Sequence, residues 1–337
     1  MKILIVGSTS VASLELSYRR AAVSLGHEVI LFNPDEEILK AAPLGWVGFK
    51  LHQHIMMENW VRAMNRKLII LIKDTSPDRV IIFSGAKILY GTIATVKTIS
   101  WCKVIFIWPD TPLNLRIHNH QAASLFDLCA IYSSEAMKSF RKLGFNNSVF
   151  VPLAGDPELH GFKPEEGRTY TEDISFVGMW RPEREKYMSL ILESFPNLRI
   201  GVTGTYWKER CTDKRLKAHC RGQIILGRAL GEYFNRSRIN LNVIDDTNYP
   251  AANMRFFEIP TAGGLQLTSP CPEQDSLFVH RKHCLFFEDG KSLVEEIDWI
   301  LAHEKECDEI RKNGYRLIGE GNTYVHRLQS IESHLST

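Results

Sequence analysis

The sequence predicts an α/β protein made of two successive doubly wound domains, each a parallel sheet with helices on both faces. Three observations lead there. Short, continuous apolar runs recur and end at Gly, Ser or Pro: Lys2–Val6 before Gly7, Arg79–Phe83 before Ser84, Lys103–Trp108 before Pro109, Asp173–Val177 before Gly178. Such runs are what strands buried on both faces look like. Helical patterns lie between them, as with Trp60, Met64, Leu68 and Ile72 at a spacing of four. From Leu153 to Thr171 the texture changes, and Gly155, Pro157, Gly161, Pro164 and Gly167 interrupt any period. At 337 residues the chain is long enough for two domains. We place the first at 1–160, a linker at 161–171, the second at 172–320, and a terminal helix at 321–337 expected to pack back across to the first domain.

In the first domain, strand Lys2–Val6, a helix from about Leu14 to Leu25 and strand Glu28–Asn33 form one right-handed crossover unit. The loop Gly7-Ser8-Thr9-Ser10 is not G-x-G-x-x-G, so the dinucleotide fingerprint of an oxidoreductase is absent. A long helix is expected over Ile55–Thr75 and another over Ile88–Ser100. A strand over Asp127–Tyr132, a helix over Glu135–Leu143 and a strand at Ser148–Pro152 close the domain. Ligands of such sheets bind beyond the carboxyl ends of the strands. That selects Gly7–Ser10, Ser84–Lys87, Pro109–Asn114 and Ser133–Glu135. Asp110 stands directly after a buried strand, and is either a general base or sugar-hydroxyl acceptor, or an N-cap or Asx-turn residue ahead of Thr111-Pro112. Glu15 is a helix-dipole partner or an acceptor contact. His118 and His120, two apart, do not share a helix face, which argues against a metal pair.

The second domain starts at Asp173–Val177. Gly178 follows, then Arg181 and Arg184 flank a helix that begins at Pro182. Either arginine is placed to meet a bound phosphate, or to sit at a solvated helix start beside Glu183 or Glu185. Strands are expected at Asn197–Val202, Gln223–Leu226 and Ile239–Ile244, with a polar stretch at Lys208–Arg221 and a helix at Leu230–Ser237. No G-x-x-x-x-G-K-[ST] loop is present, which disfavours P-loop chemistry. The next stretch is the most informative. The stretch Met254–Gly264 reads as a helix that ends in Gly263-Gly264, with Arg255 and Glu258 three apart on one face. A cation, a carboxylate and free N–H groups at a helix N-terminus suit a sugar diphosphate. Beyond it we expect a helix at Glu273–His280, a strand at His283–Phe287, and helices at Ser292–His303, Lys305–Asn313 and Tyr324–His334.

Composition removes several classes. The formal net charge is +2, so no basic field argues for nucleic acid. The seven cysteines show no C-x-x-C spacing and several lie in apolar runs, as buried thiols in a reducing compartment do. No apolar stretch approaches the roughly 20 residues of a membrane span. The N-terminal apolar run is too short for a signal peptide. A cytoplasmic location is expected.

Several segments in order carry a family resemblance: Phe126-Asp127, Val151-Pro152-Leu153-Ala154-Gly155-Asp156-Pro157, Asp173-Ile174-Ser175-Phe176-Val177-Gly178, Ile239-Asn240-Leu241-Asn242, Arg255-Phe256-Phe257-Glu258, Ala262-Gly263-Gly264 and Thr323-Tyr324-Val325-His326-Arg327. Together they resemble the CgeB-like, spore-coat-related glycosyltransferases of GT-B fold, over about residues 100–330. Residues 1–100 match by architecture only. The resemblance implies two Rossmann-like domains facing a cleft, and hexosyl transfer from a nucleoside-diphosphate sugar without a metal or other cofactor. Glu258 would then hold the ribose hydroxyls. Arg255 and the N–H groups near Asn253 and Met254 would meet the diphosphate, Gly178 would let its loop approach, and Arg181 or Arg184 would add charge. Gly227 and Arg228 sit where such folds hold the base. Ser8, Ser10 and Lys87 would line the acceptor pocket, and the acceptor itself (glycan, protein or lipid) stays open.

One related pattern is incomplete. Retaining enzymes of family 4 carry two Glu eight positions apart, but eight residues before Glu258 stands Pro250. Asp245, Asp246 or Asn248 are candidates for part of that role. Retention or inversion is therefore undecided, and inversion would make Asp110 the base. The alternatives are a nucleotide-sugar epimerase of the same fold and a non-catalytic nucleotide-sugar-binding relative.

Overall fold

The structure is a computed structural model, and it describes residues 1–42, 45–115 and 117–336. Contacts divide the chain into one unit of Met1–Pro152 with Val325–Thr337, and a second of Leu153–Tyr324.

The first unit holds a six-stranded, all-parallel sheet: β1 (Lys2–Val6), β2 (Glu28–Phe32), β3 (Arg79–Phe83), β4 (Lys103–Trp108), β5 (Leu128–Ile131) and β6 (Ser148–Phe150). Their order is β2-β1-β3-β4-β5-β6, so the direction of winding reverses between β1 and β3. Residues 3–6, 80–83 and 104–108 are buried, as two-faced coverage requires. Phe106, Phe126 and Phe145 stack beside them. The long helix is Gly45–Thr75, ten residues more than its fourfold apolar pattern indicated, and the predicted Trp60, Met64, Leu68 and Ile72 form its buried stripe. The last helix, Tyr324–Ser336, contributes Arg327 and Glu332 to this unit. Arg327 Nε donates to Pro152 O at 3.0 Å, and Arg79 pairs with Glu332 at 3.0 Å.

The second unit holds β7 (Glu172–Val177), β8 (Ile200–Thr203), β9 (Ser237–Asn242), β10 (Gln266–Thr268) and β11 (Leu285–Phe286) in a parallel sheet of order β11-β10-β9-β7-β8. Winding reverses between β7 and β9. One core cluster joins Ile174, Phe176, Ile239, Leu241, Leu265 and Leu267 on the strands to Met188, Ile191, Leu293 and Ile297 on the helices. The sheets match the two doubly wound domains that the apolar runs predict.

Four details differ from the sequence reading. The contacts set the boundary at Pro152/Leu153, ahead of position 160. Leu153–Tyr170 is held by the second unit: Gly155 bridges Thr323, and Arg168 donates to Asn235 O and Gly263 O. Gln223–Leu226 is not a strand. Gly222 turns the chain at φ +63°, and the bridge to β8 is made by Cys220 instead. Glu273–His280 is a single 3₁₀ turn (Pro272–Gln274) and further turns, anchored by buried Phe278 against Phe256 and Phe257. Helix Glu304–Gly321 runs through Gly314, where a side chain would lie 2.7 Å from His283 O. That glycine marks close packing, where the sequence suggested a break.

All seven cysteines are buried and unbridged. No helix among the described residues is long and apolar enough to cross a membrane.

Candidate functional site

The helix Met254–Thr261 is the hub of the second unit. Asn253 caps it: Asn253 Oδ1 accepts from Phe256 N at 3.1 Å, while Asn253 Nδ2 donates to Asn242 Oδ1 at 2.9 Å. The cap therefore ties the helix start to the carboxyl end of β9. At the other end Gly263, at φ +64°, donates to Pro260 O and Gly264 donates to Ile259 O, both at 3.0 Å. This is the Schellman arrangement that a Gly-Gly terminus permits. Phe256, Phe257, Glu258, Ile259 and Pro260 are all buried.

Segments far apart in sequence converge on this helix. Gly155 lies against Thr261, where a Cβ would come within 2.1 Å of the hydroxyl. Gly155 also accepts from Tyr324 N and donates to Asn322 O. Two of the segments that carry the family resemblance thus meet at the helix C-terminus. Arg255 Nε donates to Val177 O, the end of β7, at 3.2 Å, and Arg255 Nη1 pairs with Glu258 Oε2. Glu258 Oε1 faces His160 Nε2 at 3.9 Å, with both side chains buried. The N-terminus of the helix lies at the winding reversal between β7 and β9, the position where doubly wound sheets bind ligands. An α-helix leaves its first N–H groups, here at Met254 and Arg255, without intrahelical partners.

The structure separates the two arginines after β7. Arg184 is buried: Nη1 donates to Met179 O at 2.9 Å, and Nη2 to Val243 O at 3.3 Å and Asp245 Oδ2 at 2.8 Å. It joins the β7 loop to the β9 loop and is buried, unlike the solvated alternative. Its Nη1 and Nη2 donate to these groups inside the protein, while its buried Nε has no hydrogen-bond partner among the described residues. Glu185 is buried as well and accepts from Trp180 Nε1, Thr212 N and Thr212 Oγ1. Asp245 Oδ1 gathers Thr247 N, Thr247 Oγ1 and the Asn248 backbone and side-chain amides. Burial pushes the Asp245 carboxyl up, but the Thr247 hydroxyl, the Arg184 charge and the Asn248 amide together hold it below the ordinary carboxylate range. Asp245 and Asn248 are thus occupied in shaping the loop. Arg181 remains half-buried at the start of helix Pro182–Ser194, near enough to Asp245 to act on its charge.

The other predicted positions fall as follows. Gly178 N donates to Thr203 O and Gly178 O accepts from Trp207 Nε1 at 2.8 Å. A Cβ on Gly204 would lie 2.0 Å from Gly178 O, so the loops after β7 and β8 touch through two glycines. Gly227, at φ +59°, opens helix Gly227–Asn235, and Arg228 stacks 4.6 Å over Phe162. In the first unit Asp110 Oδ1 accepts from Thr111 N at 2.7 Å and Oδ2 from Asn114 Nδ2 at 2.6 Å. This is neither an N-cap nor an Asx turn: Thr111 caps the turn Pro112–Asn114, and Pro112 has no N–H for Asp110 to accept. Ser8 Oγ accepts from Ser10 N, and Glu15 Oε1 accepts from Ser8 N. Burial raises the Glu15 carboxyl above its ordinary range. Lys87 Nζ donates to Asp35 at 3.2 Å. His118 has a side chain outside the described residues. Among the described residues no group of three His, Cys, Asp or Glu is set to hold a metal.

His160 is the neighbour that sequence reasoning missed. It lies on the turn Pro157–His160, the last position of the domain read as 1–160, and no periodicity points to it. Gly231 is the only hint, since a Cβ there would lie 2.4 Å from His160 O.

Residues 184–333 match the family model described as "Glycosyl transferase-like". No curated protein matches the chain. Among solved structures, a glycosyltransferase from Rickettsia africae aligns with a TM-score of 0.66 at 12% identity, over 99% of this chain and 98% of that one. Anabaena HepE in complex with UDP-glucose aligns with a TM-score of 0.62 at 12% identity, over 100% and 99%. Sucrose-phosphate synthase from Thermosynechococcus elongatus aligns with a TM-score of 0.63 at 11% identity, over 100% and 99%. The chain therefore has the two-sheet GT-B fold of these proteins, and its residues 184–333 match a glycosyl transferase-like family.

Proposed function

We propose that this protein is a glycosyltransferase that takes its sugar from a nucleoside-diphosphate sugar. The observation that carries the reading is the N-terminus of helix Met254–Thr261, placed at the β7/β9 reversal with Arg255 and Glu258 on one face. In this reading the diphosphate lies against the N–H groups of Met254 and Arg255, with Arg255 and Arg181 as cations and Gly178 permitting close approach. Glu258 receives the ribose hydroxyls once Arg255 turns to phosphate, and Gly227 and Arg228 border the base. Departure of a nucleoside diphosphate requires negative charge to be stabilised on phosphate oxygens, which oriented N–H groups and guanidinium ions supply. The family match and the structural likeness to HepE, solved with UDP and with UDP-glucose, support this donor class.

Metal independence, hexosyl transfer and a cytoplasmic site belong to the same proposal. Seven unbridged thiols support a reducing compartment. Asp110 is the proposed base if the reaction inverts, with Ser8, Ser10 and Lys87 near the acceptor. The test is calorimetric titration with UDP, GDP and their sugar conjugates, with nucleoside diphosphate release followed in EDTA. Binding with release supports transfer. Binding without release under any acceptor favours the non-catalytic reading. A folded protein that binds no nucleotide removes the proposal, and release that needs a divalent ion removes its metal-independent part.

A further inference from the structure

Helix Gly45–Thr75 runs over 31 residues, and its N-terminal turns fold back far enough for Phe49 to reach Trp60. Trp60, Met64, Leu68 and Ile72 supply its core stripe, and Phe49 stacks on Trp60 with centroids 5.7 Å apart. The N-terminal turns carry a second apolar set that the core does not use. Trp46 is 60% exposed, Val47 57%, Leu51 69% and Ile55 80%. Val47, Leu51 and Ile55 follow one another at four-residue steps and so form one stripe. Trp46 borders it, with Lys50 Nζ 4.1 Å above the indole ring.

Charge identifies the occupant. Helix Gly45–Thr75 has five Lys or Arg (50, 62, 66, 67, 73) against Glu58 and Asp74. Glu58 is bonded to Arg62 at 2.6 Å, and Lys67 is paired with Glu37 at 2.8 Å, so the excess cations are Lys50, Arg66 and Lys73. Residues 38–57 contain no acid at all. Two copies of such a face would bring like charges together. An anionic lipid surface offers the complement to both features: apolar depth for Trp46, Val47, Leu51 and Ile55, and headgroup charge for the lysines and arginines. We propose that the N-terminal half of this helix lies in the plane of an anionic membrane surface as a peripheral anchor. The same helix holds a loop at the carboxyl end of the first sheet. Asn65 Nδ2 donates to Lys87 O, and Asn65 Oδ1 accepts from Leu89 N and Thr92 Oγ1. The anchor does not depend on the donor-site reading. If that reading also holds, the anchor brings one of its acceptor loops to the lipid surface.

The full chain is mixed with vesicles of phosphatidylcholine alone or with ~30 mol% phosphatidylglycerol, and bound protein is measured by flotation in low and high salt. Binding to the anionic vesicles is expected, weakening as salt screens the charges. Leu51→Glu with Ile55→Glu should reduce the bound-to-free ratio at least tenfold, and Lys50→Glu should reduce it several-fold. All three positions are exposed, so thermal melting should be unchanged. Lys50→Glu alone still tests the charge if the double variant fails to fold. No flotation of folded protein, or equal flotation on neutral vesicles, overturns the proposal. So does a concentration-dependent dimer in light scattering that the double variant abolishes, since the face would then be covered by a second copy.

Discussion

Replacing Arg184 by Met tests whether this side chain is a buttress of the second unit or a ligand of the donor. Its side chain is 9% exposed and that of Asp245 is 8% exposed, so solvent screens the pair little. Removing the guanidinium deletes bonds to Met179 O, Val243 O and Asp245 Oδ2, and leaves a buried carboxylate without its counter-ion. Breaking one side of a buried pair costs about 3–5 kcal/mol. Spread over a unit of this size, each kcal/mol lowers the melting temperature by roughly 2–4 °C. The expected loss is therefore roughly 6–20 °C, measured by calorimetry and by urea midpoints with the slope unchanged. Asp245→Asn should also destabilise. The double variant should lose less than the sum, with a coupling of at least ~1 kcal/mol, because the two groups no longer leave each other unpaired. The phosphate-ligand alternative makes the opposite forecast: weaker nucleotide binding with stability intact. A loss below ~0.5 kcal/mol together with a raised Kd for UDP would refute the buttress and restore Arg184 to the donor site.

Three further outcomes follow from the same geometry. Arg255→Gln should weaken UDP binding about tenfold or more, the value of one charge-assisted bond, read by titration calorimetry; an unchanged Kd would place the diphosphate elsewhere. Gly204→Ala should cost about 1–3 kcal/mol from backbone strain at φ +141°, with the clash against Gly178 O in addition, and a neutral melting curve would contradict that contact. The folded-state pKa of Asp245 is depressed, so its stabilisation is complete above the unfolded carboxylate value of about 3.9 and is lost as pH falls through the lower folded value. Wild type should consequently lose stability on acidification more steeply than Asp245→Asn, and parallel curves would count against the linkage.

Much of the fold was legible because its signals are local. A strand covered on both faces must be apolar throughout, so β1, β3, β4 and β7 show themselves as runs. A helix end in the left-handed region favours glycine, so Gly263 and Gly264 mark where helix Met254–Thr261 stops. The Arg255/Glu258 pair was legible for the same reason, since three-residue spacing on a helix brings two side chains together. Segments held only by contacts were misread. Gln223–Leu226 has strand-like composition but no neighbouring strand to pair with. Gly314 looks like a break and is instead the point where a helix passes close to His283.

The amino-acid sequence by itself determined the two parallel sheets, the late helix N-terminus and the residues presented on its first turn. Each follows from chain periodicity and backbone sterics within a few residues. Only the tertiary structure decided which charges are bonded within the protein. Arg181 and Arg184 are indistinguishable in sequence, three positions apart at one helix start. Long-range packing puts Asp245 and Val243 O against Arg184 and leaves Arg181 at the rim. His160 meets Glu258 only because the chain folds back across 98 positions, a distance no local pattern records.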